Sequence, residues 1–158
     1  MSLKVNIVNL QKKPEHLSGE ITPEELGLES HDELVHFSEP VHYTLTADRL
    51  DKGILVQGSA EIWLDCECIR CLKPFVFTVV LDAFAVHLPV EGKEAVEIIE
   101  DCIDLTPYLR EDILLGLPQH PLCRSDCEGL PKGKPPQANT GSKSSIWSEL
   151  DNLKFRKD

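Results

Sequence analysis

Gly53-Ile54-Leu55-Val56-Gln57-Gly58-Ser59-Ala60-Glu61-Ile62-Trp63-Leu64 is the stretch whose reading decides the fold. Gly58, Ala60, Ile62 and Leu64 recur at every second position, and Trp63 points the other way. A two-residue period is the signature of a strand with one buried face. The same period holds from Glu33 to Leu88. Val41, Tyr43, Leu45 and Ala47 share one face, and Asp51-Lys52-Gly53 marks a turn before Ile54. Phe75-Val76-Phe77-Thr78-Val79-Val80-Leu81 is rich in β-branched and aromatic residues, reads as a strong buried strand, and continues through Phe84-Ala85-Val86-His87-Leu88.

Outward from this core the signals are shorter. Leu3 to Val8 alternates and predicts a strand, whereas the polar run Gln11 to Gly19 predicts a loop. Thr22-Pro23-Glu24-Glu25 carries a helix-start pattern, with Thr22 as cap and Glu25 three residues on, and Gly27 keeps that helix short. Val96 to Ile103 predicts a further strand. Thr106 caps an amphipathic helix from Tyr108 to Leu117, with Pro107 in its first turn and Leu109, Ile113 and Leu117 on one face. Pro118 ends it, and the chain runs on to Cys123. The expected fold class is therefore α+β: an antiparallel, strand-rich core over residues 1–128, with one amphipathic helix near a second cysteine pair. Residues 129–158 are rich in Pro, Gly, Lys and Ser and predict a flexible C-terminal tail, in which Ile146, Leu150 and Leu153 could share a short helical face.

Two cysteine pairs carry the chemistry. Cys68-Ile69-Arg70-Cys71 and Cys123-Arg124-Ser125-Asp126-Cys127 are short-spaced pairs far apart in the chain. Two or three residues between ligands let one turn aim both sulfurs at a single ion, so the four fit a tetrahedral, structural zinc site. Arg70 or Arg124 would help offset its double negative charge. Buried or unpaired thiols are the plainer alternative. Cys66 is a possible substitute ligand, Cys102 reads as a core residue, and His120 reads as an exposed loop residue. A redox dithiol at Cys68 and Cys71 is a weaker reading, because that chemistry expects a helix N-terminus beside a βαβ unit.

Charge and composition narrow the function. The formal net charge is −11. Residues 1–128 hold 10 Lys/Arg and 24 Asp/Glu, a net of −14, while residues 129–158 hold 6 and 3, a net of +3. An acidic body argues against broad capture of nucleic acid, whose phosphates are gripped mainly by Lys and Arg. It suits a basic protein partner. No apolar run approaches the roughly 20 residues that span a bilayer, and the N-terminus shows no signal peptide, so a reducing cytoplasm is expected. Gly-x-Ser-x-Gly, Gly-rich phosphate loops and His-Glu-x-x-His are absent, and no enzyme is predicted.

The cysteine segments also resemble the YceD family, bacterial and plastid proteins linked to large-subunit ribosomal RNA accumulation. The matching residues are Gly58-x-Ala60, Cys68-Ile69-Arg70-Cys71-Leu72-Lys73-Pro74-Phe75, Asp104-Leu105 with Leu109-Arg110-Glu111 and Leu114, and Pro121-Leu122-Cys123-x-x-x-Cys127-x-Gly129-Leu130. Family members commonly continue with Cys-Pro-x-Cys-Gly, where this chain has Pro131 and Lys134. Any zinc is therefore held by Cys68, Cys71, Cys123 and Cys127, or not at all. The resemblance implies a role in synthesis, processing or stability of large-subunit (23S) ribosomal RNA within ribosome assembly. A ribosomal protein or assembly factor is then the expected partner, with direct contact to that RNA the alternative, made through the basic tail with Trp147 as a stacking residue.

Overall fold

A computed structural model describes residues 3–28, 33–131 and 133. The expected α+β class holds, and the strands pair antiparallel throughout. Strand β4 (Val41–Leu50), β5 (Gly53–Glu67) and β6 (Pro74–Pro89) form a meander, because a tight turn at Asp51-Lys52 and a short loop over 68–73 separate long runs of period-two sequence. Strand β2 (Glu15–Ile21) joins β4, and the short β3 (Val35–Phe37) joins the far end of β5, giving a five-stranded sheet. A second ribbon pairs β1 (Lys4–Asn6) with β7 (Cys102–Asp104). Helices α1 (Ile7–Leu10) and α2 (Thr106–Leu115) lie against β4 and β6 respectively.

The core is the inward side of the sheet. Val41, Leu45 and Ala47 of β4 and Ile54, Val56, Ile62 and Leu64 of β5 are fully buried, as alternation predicts. Leu105, Leu109 and Ile113 bring α2 onto them. Each such Leu or Ile removed from water contributes about 1.5–3 kcal/mol. Gly58 allows the closest approach within the sheet: a Cβ there would lie 2.8 Å from the Leu45 Cα and would strike the Thr44 carbonyl. Beside it the register shifts, with Gly58 opposite Phe84 but Ala60 opposite Leu81, so β6 carries one extra residue around Asp82-Ala83. This bulge explains a change of phase in β6. Inward side chains sit at odd positions up to Leu81 and at even positions from Phe84.

Several expected elements are corrected. Gln11 to Gly19 is not wholly a loop, since β2 begins at Glu15; Leu17 and Ile21 are the apolar residues that turn toward the core from an otherwise polar edge strand. The Leu3–Val8 strand is cut short at Asn6, whose carboxamide oxygen caps α1 by accepting from the Val8 and Asn9 N–H groups. The Thr22–Glu25 capping box forms reciprocally at 3.3 Å, yet no helix follows it. Leu28 N–H bonds Pro23 O and Gly27 N–H bonds Glu24 O, closing a single turn with Gly27 at φ +64°. Phe75–Leu81 is buried on one face only, with Val76 and Val80 open to solvent.

The expected strand over Val96 to Ile103 is broken by a hairpin turn. Glu100 and Asp101 both have positive φ, and Ile99 and Cys102 exchange backbone hydrogen bonds. Thr106 does not cap α2. It is the first helical residue, its N–H bonds the Asp104 carboxylate, and its hydroxyl is buried without a partner. The helix ends at Leu115, two residues earlier than expected, where Gly116 follows and Leu117 only packs against the core. The linker beyond residue 133 and the helical face of Ile146, Leu150 and Leu153 lie outside the described residues.

Candidate metal centre

Three segments bring four sulfurs together. Strand β5 delivers Cys68 just past its end. The Leu72 N–H then bonds the Cys68 carbonyl, and Cys68 N–H bonds Lys73 O. Leu72 takes a positive φ of 57° to close this loop and turn Cys71 back toward Cys68. The chain leaving α2 supplies the rest: Pro121 accepts the Ile69 N–H at 3.0 Å, fastening the second cysteine segment alongside the first. Cys127 N–H bonds Arg124 O, which folds the second pair into a similar short loop.

The sulfurs of Cys68, Cys71, Cys123 and Cys127 all lie within 4.8 Å of one another. Cys68 and Cys127 are 3.8 Å apart, and Cys71 and Cys123 are 3.7 Å apart. A thiolate tetrahedron with metal–sulfur distances of about 2.3 Å, the zinc value, has edges of about 3.8 Å. Donor type and spacing thus fit, and the four could hold a metal ion. Cys68 and Cys127 are buried and Cys71 and Cys123 are half-buried; all but Cys68 line a surface depression shared with Lys73 and Arg124.

Electrostatics within the cluster are uneven. The Cys68 thiol is pulled down to about 6, chiefly by the backbone N–H of Cys123, with those of Cys71 and Arg70 adding to it. Burial pushes the Cys123 thiol up to about 12, and the neighbouring sulfurs push the same way. Four crowded thiols cannot all ionise without a cation, which is the condition a metal relieves.

The two arginines divide their work. Arg70 donates to the Cys127 carbonyl at 3.1 Å, bracing one cysteine loop against the other. Arg124 instead faces the exposed Asp126 at 3.8 Å. Cys66 is buried in the sheet core, Cys102 sits in β7 beside the Asn6 carboxamide at 3.7 Å, and His120 is exposed, so none of the three joins the cluster. Cys68 and Cys71 occupy a loop between strands with no helix N-terminus, which leaves the dithiol reading without its usual thiolate-stabilising dipole. The sequence marked Gly129 only as part of the family motif and did not show its place against Arg70. The φ of Gly129 is +86°, and a Cβ there would approach the Arg70 carbonyl to 3.3 Å.

The model of the family described as large ribosomal RNA subunit accumulation protein YceD matches residues 56–154, which include all four cysteines. The chain belongs to that family. An uncharacterized protein of Mycobacterium tuberculosis is 31% identical over 94 residues, 54% of this chain and 45% of the relative, and one of Mycobacterium bovis matches to the same extent. An uncharacterized Mycobacterium leprae protein is 26% identical over 105 residues, 61% of this chain and 48% of its own. This YceD chain therefore spans about half the length of the curated relatives it matches. No solved structure matches it. Among the described residues, no helix is long and apolar enough to cross a membrane. The family's description names accumulation of large-subunit ribosomal RNA.

Proposed function

We propose that this chain is a non-enzymatic ribosome-assembly factor of the cytoplasm that sustains synthesis, processing or stability of 23S ribosomal RNA through a protein or ribonucleoprotein partner. The family match over residues 56–154 carries the reading. Zinc held by Cys68, Cys71, Cys123 and Cys127 serves as a structural clip. It fastens the segment after α2 to the end of β5 and closes a long loop, where a cross-link offsets much chain entropy. A closed four-thiolate site has no open coordination position for catalysis. The net of −14 over residues 1–128 favours a basic protein partner over naked RNA.

The test is the ratio of large- to small-subunit ribosomal RNA in source cells depleted of the chain. A selective fall in the large-subunit species, restored by the intact gene, is expected. An unchanged ratio would remove the assembly role. Affinity capture should return a protein, and RNA recovered alone after protease treatment of the lysate would count against a protein partner.

A further inference from the structure

Strand β6 is a sheet edge along its length, pairing with β5 and, among the described residues, with no other strand. Proteins usually blunt such edges with proline, charge or a bulge. Pro74, Pro89 and the bulge at Asp82-Ala83 do so at the ends and the middle of β6. Between them, Phe75-Val76-Phe77-Thr78-Val79-Val80-Leu81 has no charge, and every residue before Leu81 is aromatic or β-branched. This is a strand-pairing surface left open.

The outer face beside it has a definite chemistry. Val76 and Val80 are 61% and 56% exposed. Across the ladder on β5, Asp65 lies opposite Val76 and Glu61 opposite Val80, with Trp63 between them opposite Thr78. The His42 ring meets Trp63 edge to face at 5.2 Å and holds it against the sheet. By strand alternation, no outward-facing position of β2 to β6 carries Lys or Arg, and among the described residues Glu61 makes no ion pair.

We propose that the free edge of β6 at Phe75–Leu81 takes up an extended, Lys/Arg-rich strand of a partner protein. Backbone hydrogen bonds would add it to the sheet, as in other strand-addition complexes. Its outward Lys/Arg side chains would lay their alkyl stems over Val76 and Val80 and carry their cations across β6 to Glu61 and Asp65, while its alternate apolar residues face inward beside Phe75 and Phe77. Strands lie about 4.8 Å apart, so these carboxylates stand about 10 Å from the incoming backbone, a gap that a Lys or Arg and a Glu side chain close between them. RNA offers no strand to add and would meet like charge. A second copy of this chain would bring two carboxylate rows onto one face. The proposal rests on the reading that the chain works through a protein partner and names the surface for it.

The test uses the full chain, metal-loaded, with a capped peptide of alternating lysine and valine. Binding is followed by fluorescence anisotropy and by amide hydrogen exchange. Exchange is expected to slow at Phe75–Leu81. Alternate N-methylation of the peptide backbone, which removes the ladder donors, should weaken binding roughly tenfold, and the double variant Glu61→Lys with Asp65→Lys should do the same. Protection elsewhere, equal binding of the N-methylated peptide, or indifference to the double charge reversal would each overturn the proposal. So would a β6-mediated dimer that excludes the peptide, or protection that appears only after residues 134–158 are removed. Should the double variant fail to fold, the N-methylated peptide decides alone. None of these readouts involves ribosomal RNA, so failure here leaves the accumulation role standing.

Discussion

The Arg70 guanidinium donates to the Cys127 backbone carbonyl at 3.1 Å, so the first cysteine loop grips the second by a bond that involves no sulfur. The two loops are thus held in register before any metal arrives. Replacing Arg70 with Ala removes a charge-assisted hydrogen bond at a half-buried site, a loss of about 1 kcal/mol. The expected outcome is faster transfer of zinc to a chromophoric chelator with a modest fall in Tm. Arg70→Lys should fall between the parent and the Ala variant, because its ammonium can still donate a single hydrogen bond to a carbonyl. Parental metal-transfer rates in Arg70→Ala would show the bond to be incidental.

Zinc binding at four thiolates is folding free energy, since the unfolded chain holds no such site. Cys71→Ser and Cys123→Ser should each lower the stability of the metal-loaded protein by several kcal/mol, and chelation should lower the parent's Tm in the same direction. Cys66→Ser and Cys102→Ser should leave the zinc content unchanged, since neither sulfur belongs to the cluster. Thermal melts with and without chelator, alongside metal analysis, decide it. Identical melts would show that the four sulfurs do not clip the fold with metal.

Gly129 tests the same junction from the other side. At φ +86° and with a Cβ position 3.3 Å from the Arg70 carbonyl, Ala would be strained and crowded at once. Gly129→Ala should cost on the order of 1–2 kcal/mol, whereas Gly133→Ala, which meets nothing within 4 Å, should be silent. Equal denaturation midpoints for the two variants would contradict this account.

The sheet meander and the four-cysteine cluster were legible because each rests on a short-range rule: period-two alternation for β4 and β5, and metal-type spacing for the cysteines. What stayed hidden depends on distant partners. Glu15–Ile21 looks like a loop because an edge strand can present polar residues on one face and needs only Leu17 and Ile21 inside. The capping box at Thr22 is present, yet Gly27 closes the turn before a helix can propagate. The bulge in β6 and the exposure of Val76 and Val80 were not legible, because Phe75–Leu81 is apolar at even positions as well as odd ones: such a run hides the change of phase at Phe84 and does not say whether a second layer covers it.

Gly58 carries the last prediction. The β4 backbone passes so close that a methyl group there would strike the Thr44 carbonyl and stand 2.8 Å from the Leu45 Cα. Neither neighbour can move easily, because β4 is held by β2 on its other side. Gly58→Ala should therefore cost on the order of 3 kcal/mol or prevent folding. Ser59→Ala is the control. Ser59 is exposed, and its loss should change stability by no more than about 0.5 kcal/mol. The damage should stay in the sheet: a folded fraction of Gly58→Ala ought to bind zinc in the parental ratio, because none of the four sulfurs touches this crossing. Urea midpoints of the two variants, with zinc content measured on the folded fraction, distinguish a local clash from a general loss of the cysteine site.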